Sequence, residues 1–326
     1  MNLETILFLI GGLVFLVIGG ELLVRGASRL ASALGVAPIV IGLTVVAFGT
    51  STPELAVSLK AALAGNADIS ISNVVGSNIF NVLFILGVSA LISPLIIHSQ
   101  MIAREVPIMI ATSILLALFS IGGTIQRWEG MVLFAGIIFY TTWLVLEAKK
   151  KRSENLELER ESEQEYGSLK TEKKPLALSI AFIVIGLGVV MLGADWLVDG
   201  AVTLAKTLGV SDTVIGLTIV AAGTSLPEVV ASIMATIKGE RDIAVGNVVG
   251  SNIYNILAIV GISGTIVPGG LAVNTTMMNF DIPVMVGVAL ICWPFFKTGN
   301  RISRFEGVIF LAAYIAYTGY LITQAA

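Results

Sequence analysis

Gly49-Thr50-Ser51-Thr52-Pro53-Glu54 lies inside an otherwise apolar segment that runs from Pro38 to Ala64. That segment is long enough to cross a bilayer as a helix, which takes about 20 apolar residues. A glycine, hydroxyls, a proline and a carboxylate are costly there. An ionised carboxylate at the centre of a span costs roughly 2.5–3.5 kcal/mol. The stretch nevertheless returns as Gly223-Thr224-Ser225-Leu226-Pro227-Glu228. A costly feature kept twice points to use. The two stretches are expected to face each other at mid-membrane and bind cations.

Composition sets the class. Of 326 residues, 56% are hydrophobic and 13% charged, against about a quarter charged in a soluble domain. A core of the chain's own cannot hide that much apolar surface, so the chain reads as a polytopic membrane protein with the lipid bilayer as its partner. The net charge of −3 gives no reason to expect nucleic acid. The single cysteine, Cys292, excludes a disulfide within the chain, and the single histidine, His98, argues against zinc clusters and histidine catalysis. With no nucleophile–base pair and no phosphate-binding Gly-rich loop, an enzyme is not expected. Met1-Asn2-Leu3-Glu4 lacks a positive leader and reads as the start of the first span.

Apolar runs predict ten spans, near 4–24, 38–63, 71–93, 103–121, 130–147, 177–199, 213–236, 245–267, 278–296 and 305–323. The first and sixth continue their pattern toward Arg29 and Lys206. One long hydrophilic segment, Glu147 to Lys174, interrupts them. It divides the chain into 1–148, a charged linker over 149–174, and 175–326. Alternating loops place Lys60, Arg127 and Lys206 on one side. The other sixteen of the 19 Lys and Arg residues, eight of them in the linker, fall on the opposite side. The positive-inside rule makes that side cytoplasmic. A multi-pass plasma-membrane protein is expected, with the linker in the cytoplasm and both termini outside.

The second half repeats the first at an offset of 174 residues. Between Gly42 and Gly87, 26 of 46 positions are identical to their counterparts. Asn73-Val74-Val75-Gly76-Ser77-Asn78-Ile79-Phe80-Asn81 matches Asn247-Val248-Val249-Gly250-Ser251-Asn252-Ile253-Tyr254-Asn255. Five spans per half is an odd number, so the halves enter from opposite sides. The predicted fold is an all-α integral membrane protein, ten transmembrane helices in two inverted five-helix repeats. Inverted repeats are an architecture of secondary transporters, with the site between repeats near the midplane.

The hexapeptide is a helix defect that supplies oxygens. Pro53 has no amide hydrogen and its ring clashes one turn back, which should free carbonyls around Ala47 to Thr50. Thr50 and Glu54 are four apart and share a face. Ala221, Thr224 and Glu228 repeat this, and Ser51 and Ser225 add hydroxyls. Asn73, Ser77 and Asn81 line one face of the third span; Asn247, Ser251 and Asn255 line the eighth. Gly76 and Gly250 beside them should permit close helix approach. Oxygen ligands without nitrogen or sulfur suit hard cations such as Ca²⁺ and Na⁺. No Lys or Arg in these spans is placed to pair with the glutamates; one Ca²⁺, or two or three Na⁺, would neutralise them. Protonation is the remaining option. Glycine-rich spans one and six (Gly11, Gly12, Gly19, Gly20; Gly186, Gly188, Gly193) are candidates for a moving pair. Glu21 and Arg25 are spaced for a local ion pair.

The doubled GTSxPE and GSNxxN motifs resemble the sodium/calcium exchanger family of the cation/calcium antiporter superfamily, in a prokaryotic form without a large regulatory loop. The resemblance covers the whole chain. It implies electrogenic Na⁺/Ca²⁺ antiport with Ca²⁺ and Na⁺ as transported ions, no cofactor, and a monomer as a sufficient unit. It also implies a diamond of four ion sites built by spans two, three, seven and eight. By the same resemblance, Glu54 and Glu228 are the central carboxylates and Thr50 and Thr224 the calcium ligands. Ala47, Ser77, Ala221 and Ser251 flank as sodium ligands, and Asn81 and Asn255 form the middle pair. Potassium-dependent relatives carry Asp where this chain has Asn255, and proton-coupled ones carry His near the glutamates. H⁺- or K⁺-coupled antiport is the alternative, and a cation channel the more distant one.

Overall fold

In a bilayer every backbone amide must be satisfied within the protein, so apolar segments close into helices. The computed structural model describes residues 3–166, 176–209, 215, 219 and 221–325. Its helices are α1 (Leu3–Leu34), α2 (Pro38–Thr50), α3 (Thr52–Leu63), α4 (Ala67–Ile92), α5 (Met101–Ser120), α6 (Arg127–Tyr166), α7 (Leu176–Thr207), α8 (Ala221–Thr224), α9 (Leu226–Ile237), α10 (Arg241–Ile266), α11 (Met277–Asn300) and α12 (Arg304–Ala325). Among the described residues eight are long and apolar enough to cross a membrane, and α2 with α3 makes a ninth crossing bent by 44°. The expected span over 213–236 begins largely outside the described residues; its described part is α8 and α9.

The first and sixth spans extend well past their core runs, as the pattern continuing toward Arg29 and Lys206 predicts. One expectation changes in detail. The linker expected from 149 is not all loop: α6 continues unbroken to Tyr166. The stretch after Lys149 is rich in Glu, Lys, Arg and Leu and meets no Gly or Pro before Gly167, so helix propensity carries it on. Residues 167–175 lie outside the described residues.

The halves are inverted, and short strands show it. β1 (Leu95–Ile96) follows α4, and β2 (Thr124–Ile125) precedes α6. Their counterparts are β3 (Leu271–Ala272) and β4 (Arg301–Ile302). β1 pairs antiparallel with β4, and β2 with β3. Each end of the bundle is thus stitched by one strand from each half. Arg241, at the start of α10, donates to Ser93 Oγ just past the end of α4 at 3.1 Å, so these helices run in opposite directions.

One end gathers the basic side chains. Arg25 pairs with Glu21, as its spacing predicts, and Lys238 joins them at 3.1 Å. Ser28 donates to Glu240 at 2.6 Å. Arg104 pairs with Glu147, and Lys151 with Glu147 at 2.9 Å. The core lies around α4 and α10. The most apolar stretch of α10 is entirely buried, whereas α1, α7 and α12 turn most of theirs outward.

α1 and α7 pack antiparallel along a seam of glycines. Gly12, Gly19 and Gly26 face Gly193, Gly186 and Ile183. The glycines of α7, Gly186, Gly193 and Gly200, keep the same seven-residue spacing. A Cβ at Gly19 would lie 2.6 Å from the Val190 amide nitrogen, and one at Gly186 2.5 Å from that of Leu23. The backbones touch because nothing intervenes. Gly188 is not part of this seam: a Cβ there meets nothing within 4 Å among the described residues. It lies two residues past Gly186, on another face of the helix.

Candidate cation site

The proline makes the break where it stands. It cannot donate to the preceding turn, yet its fixed φ suits the first turn of a helix. α2 therefore stops at Thr50, Ser51 turns aside (φ −82°, ψ 8°), and α3 starts at Thr52. The second half does the same around Ser225 (φ −91°, ψ 5°) and Pro227. Each glutamate thereby falls in the first turn of a new helix, where the helix dipole favours negative charge.

The freed carbonyls are fewer than expected. Ala47 O still accepts the Ser51 amide at 3.0 Å, and Phe48 O accepts the Thr52 hydroxyl at 3.0 Å. The bend falls after Thr50, so the last turn of α2 still closes. The Thr50 hydroxyl also lies within reach of Ala47 O, at 3.4 Å. Of Ala221 the structure describes only the backbone, at the start of α8.

The two stretches meet. Glu54 and Glu228 are 0% and 1% exposed. Ser225 Oγ donates to Glu54 Oε1 at 2.9 Å, and Ser51 Oγ donates to Glu228 Oε1 at 2.8 Å. Each glutamate is held by the serine of the other half. Ser225 spends its proton on Glu54, so Ser77, 3.0 Å away, donates to it.

Buried oxygens without a partner remain around this cross. They include Glu54 Oε2, Glu228 Oε2, Asn81 Oδ1, Asn255 Oδ1 and Ser251 Oγ. With both glutamates ionised, the first four can only accept. Neither glutamate ion-pairs with Lys or Arg among the described residues. The chain satisfies its other buried carboxylates differently. Glu105 accepts from Arg104 Nε at 2.8 Å and from Tyr140 at 2.8 Å, and Asp281 from Tyr317 at 2.8 Å. Unpaired buried acceptors are costly, and bound hard cations would offset that cost. No cluster of three or more His, Cys, Asp or Glu is present among the described residues. Two carboxylates amid neutral oxygens fit Ca²⁺ or Na⁺ better than a transition metal.

The threonines are placed by the first asparagine of each spaced set. Thr50 Oγ1 donates to Asn247 Oδ1 at 3.1 Å, and Thr224 Oγ1 to Asn73 Oδ1 at 3.3 Å. Asn247 Nδ2 in turn donates to Ser232 at 3.0 Å, and Asn73 Nδ2 to Ser58 at 2.9 Å. Asn73 and Asn247 thus brace the broken helices, unlike Ser77 and Asn81 on the same face of α4. Sequence reasoning gives no role to Ser58, Ser232, Asn78 and Asn252. Their signal was available: each pair recurs at the 174-residue offset. Gly250 behaves as expected, with Leu43 and Ala47 within 3 Å of a Cβ placed there. At Gly76 nothing lies within 4 Å among the described residues, and Leu217 and the Ala221 side chain, the counterparts of Leu43 and Ala47, lie outside them.

The site is asymmetric. Thr50, Asn247 and Ser251 are buried, whereas Thr224 and Asn73 are half-buried. Asn73 lies toward the start of α4, the end away from β1 and the basic residues. The more accessible flank is at that end.

Two stretches of the chain, 4–146 and 178–323, match the sodium/calcium exchanger protein family, one in each half. The sodium/calcium exchanger MaX1 of Methanosarcina acetivorans is 38% identical over 95% of this chain and 96% of its own length. The inner membrane protein YrbG of Escherichia coli is 33% identical over 98% and 97%. The solved sodium-calcium exchanger NCX_Mj, soaked with zero Na⁺ and Ca²⁺, superposes with a TM-score of 0.83 at 32% identity, covering 98% of this chain and all of the other. With both halves matched and the full length aligned, this chain belongs to the sodium/calcium exchanger protein family, as a multi-pass membrane antiporter.

Proposed function

We propose that this chain exchanges Na⁺ for Ca²⁺ through the site between Glu54 and Glu228, without ATP. The observation that carries this is the set of buried, acceptor-only oxygens divided between the halves. One Ca²⁺ would cancel both carboxylate charges; two or three Na⁺ would do the same from overlapping positions. Ca²⁺ and Na⁺ therefore compete. A site filled by either ion is close to neutral and can be covered on both sides, whereas the empty site carries two buried charges and resists being sealed from water. Exchange without leak follows from that difference. Ser51 and Ser225 tie each carboxylate to the opposite half, so ion binding and the relative position of the halves are linked. The absence of histidine from both hexapeptides and the relation to MaX1 support Na⁺ as the coupling ion. The direct test is Ca²⁺ uptake by sealed vesicles loaded with Na⁺, against vesicles loaded with K⁺ or holding only a pH gradient. Uptake should require internal Na⁺.

In the plasma membrane, the end bearing Arg25, Arg104, Lys238, Arg241 and Arg301 is assigned to the cytoplasm by the positive-inside rule. Both termini and the half-buried flank at Thr224 and Asn73 then face outward. Single cysteines at two exposed positions, Asn66→Cys and Arg301→Cys, check this. In intact cells a membrane-impermeant maleimide should label the first, and the second only after permeabilisation. The reverse pattern would invert the assignment. The native Cys292 is buried and should stay silent.

A further inference from the structure

Asn81 and Asn255 offer oxygen to the site only because their nitrogens are engaged elsewhere. Asn81 Nδ2 donates to Asn252 Oδ1 at 3.0 Å, and Asn255 Nδ2 to Asn78 Oδ1 at 3.0 Å. Asn78 and Asn252 must therefore turn their own oxygens toward the site pair. An amide has no intrinsic preference for which end it turns where; its neighbours decide. The nitrogen of Asn78 faces two acceptors, the Asn252 carbonyl at 3.2 Å and the thioether of Met285 at 3.8 Å. That of Asn252 faces the Asn78 carbonyl at 3.2 Å and the thioether of Met109 at 3.6 Å. Carbonyl and thioether can only accept. Both hydrogens of each amide are thus consumed on the side away from the site.

Turning Asn252 over would set its oxygen against a carbonyl and a sulfur. It would also present an NH₂ to Asn81, which would then flip to accept, aiming its own NH₂ at the partnerless oxygens around Glu54 and Glu228. A donor in that position repels a cation. The chain from sulfur to Asn252 to Asn81 is what keeps the middle of the site an acceptor, and it is built twice.

We propose that Met109 and Met285 are positioning residues of the cation site, setting the oxygen-inward orientation of Asn81 and Asn255 through Asn252 and Asn78. This rests on the reading of that site as the cation site. Both methionines are buried, one on α5 and one on α11. They are equivalent in the two halves, closing Val106-Pro107-Ile108-Met109 and Ile282-Pro283-Val284-Met285 at an offset of 176 residues; only the structure shows what their sulfurs accept. Their sulfurs touch no site oxygen and act only through the amides.

The test is Met109→Leu, Met285→Leu and the double variant, which keep volume and apolarity but remove the acceptor. A buried N–H left without an acceptor shifts an equilibrium by about tenfold or more. The Ca²⁺ KM of uptake by vesicles should rise by about that factor in each single variant and further in the double, with the maximal rate and the melting temperature little changed. Met109→Gln, which restores an acceptor oxygen, should recover part of the loss. An unchanged KM in the double variant overturns the proposal. So does a lowered melting temperature with no shift in KM, which would mean a packing role alone. Wild-type vesicles run alongside separate the two ideas. Wild-type uptake driven by K⁺ or a pH gradient in place of Na⁺ sinks the Na⁺ reading and leaves the KM ratio of the variants to decide the methionines. No wild-type Ca²⁺ uptake sinks both.

Discussion

Glu54→Gln and Glu228→Gln should each reduce Na⁺-driven Ca²⁺ uptake to that of empty vesicles while the protein still inserts and folds. Glutamine keeps the length of the side chain and a carbonyl that can accept from Ser225 or Ser51 in place of Oε1. The cross between the halves, at 2.9 and 2.8 Å, therefore survives. What disappears is one of two negative charges, and the partnerless Oε2 becomes an NH₂. At roughly 4 Å and an effective dielectric near 20, a single charge pair is worth roughly 4 kcal/mol. That is roughly a thousandfold in affinity for each unit of cation charge. Ca²⁺ should suffer more than Na⁺, since it carries twice the charge. The measurement is initial uptake rate per inserted protein. A rate within about tenfold of wild type in either variant would mean that this pair is not the site.

The second large effect is expected at the α1–α7 seam. Gly19→Ala or Gly186→Ala places a methyl 2.6 or 2.5 Å from a backbone nitrogen of the facing helix. Backbone cannot rotate away as a side chain can, so the helices must separate. Overpacking of this kind costs about 1–3 kcal/mol. The cost reaches the site because the pair lies across both hexapeptides: Leu187 of α7 packs on Gly49, and Val198 on Gly223. Both alanine variants should lose most of their transport and melt at lower temperature. Gly188→Ala, with nothing near its Cβ among the described residues, is the control and should match wild type. Equal behaviour of all three variants would remove the seam from the account.

The sequence announced what was costly and repeated. Glu54 and Glu228 stood out because a carboxylate in an apolar span needs a reason, and Pro53 and Pro227 because proline breaks helices by a local rule. The inverted plan followed from an offset and an odd number of spans. What stayed hidden was partnership across the halves. That Ser51 serves Glu228 while Ser225 serves Glu54 depends on how two helices cross, which no local pattern records. Asn78 sat in the repeated motif, yet its role depends on a sulfur from α11. Asn73 shared a helical face with Ser77 and Asn81, but the bend of the neighbouring helix gave it Ser58 and Thr224 instead. Glycine content marked the α1–α7 pair but does not say which glycines face a partner: Gly186 does and Gly188 does not. The helix from Arg127 runs on to Tyr166, into the charged linker, because charge marks that segment as solvated without deciding its backbone and its residues are good helix formers.

The central claim is that Ca²⁺ and Na⁺ alternate at one site shared by the two halves. Paired fluxes in the same sealed vesicles test it most directly, with Ca²⁺ entry and Na⁺ exit followed together while internal Na⁺, K⁺ and pH are varied separately. The account predicts that Ca²⁺ enters only as Na⁺ leaves, that external Na⁺ competes with Ca²⁺, and that K⁺ or a pH gradient alone drives nothing. Ca²⁺ entry driven by a pH gradient and indifferent to Na⁺, or entry with no counter-ion at all, would contradict it.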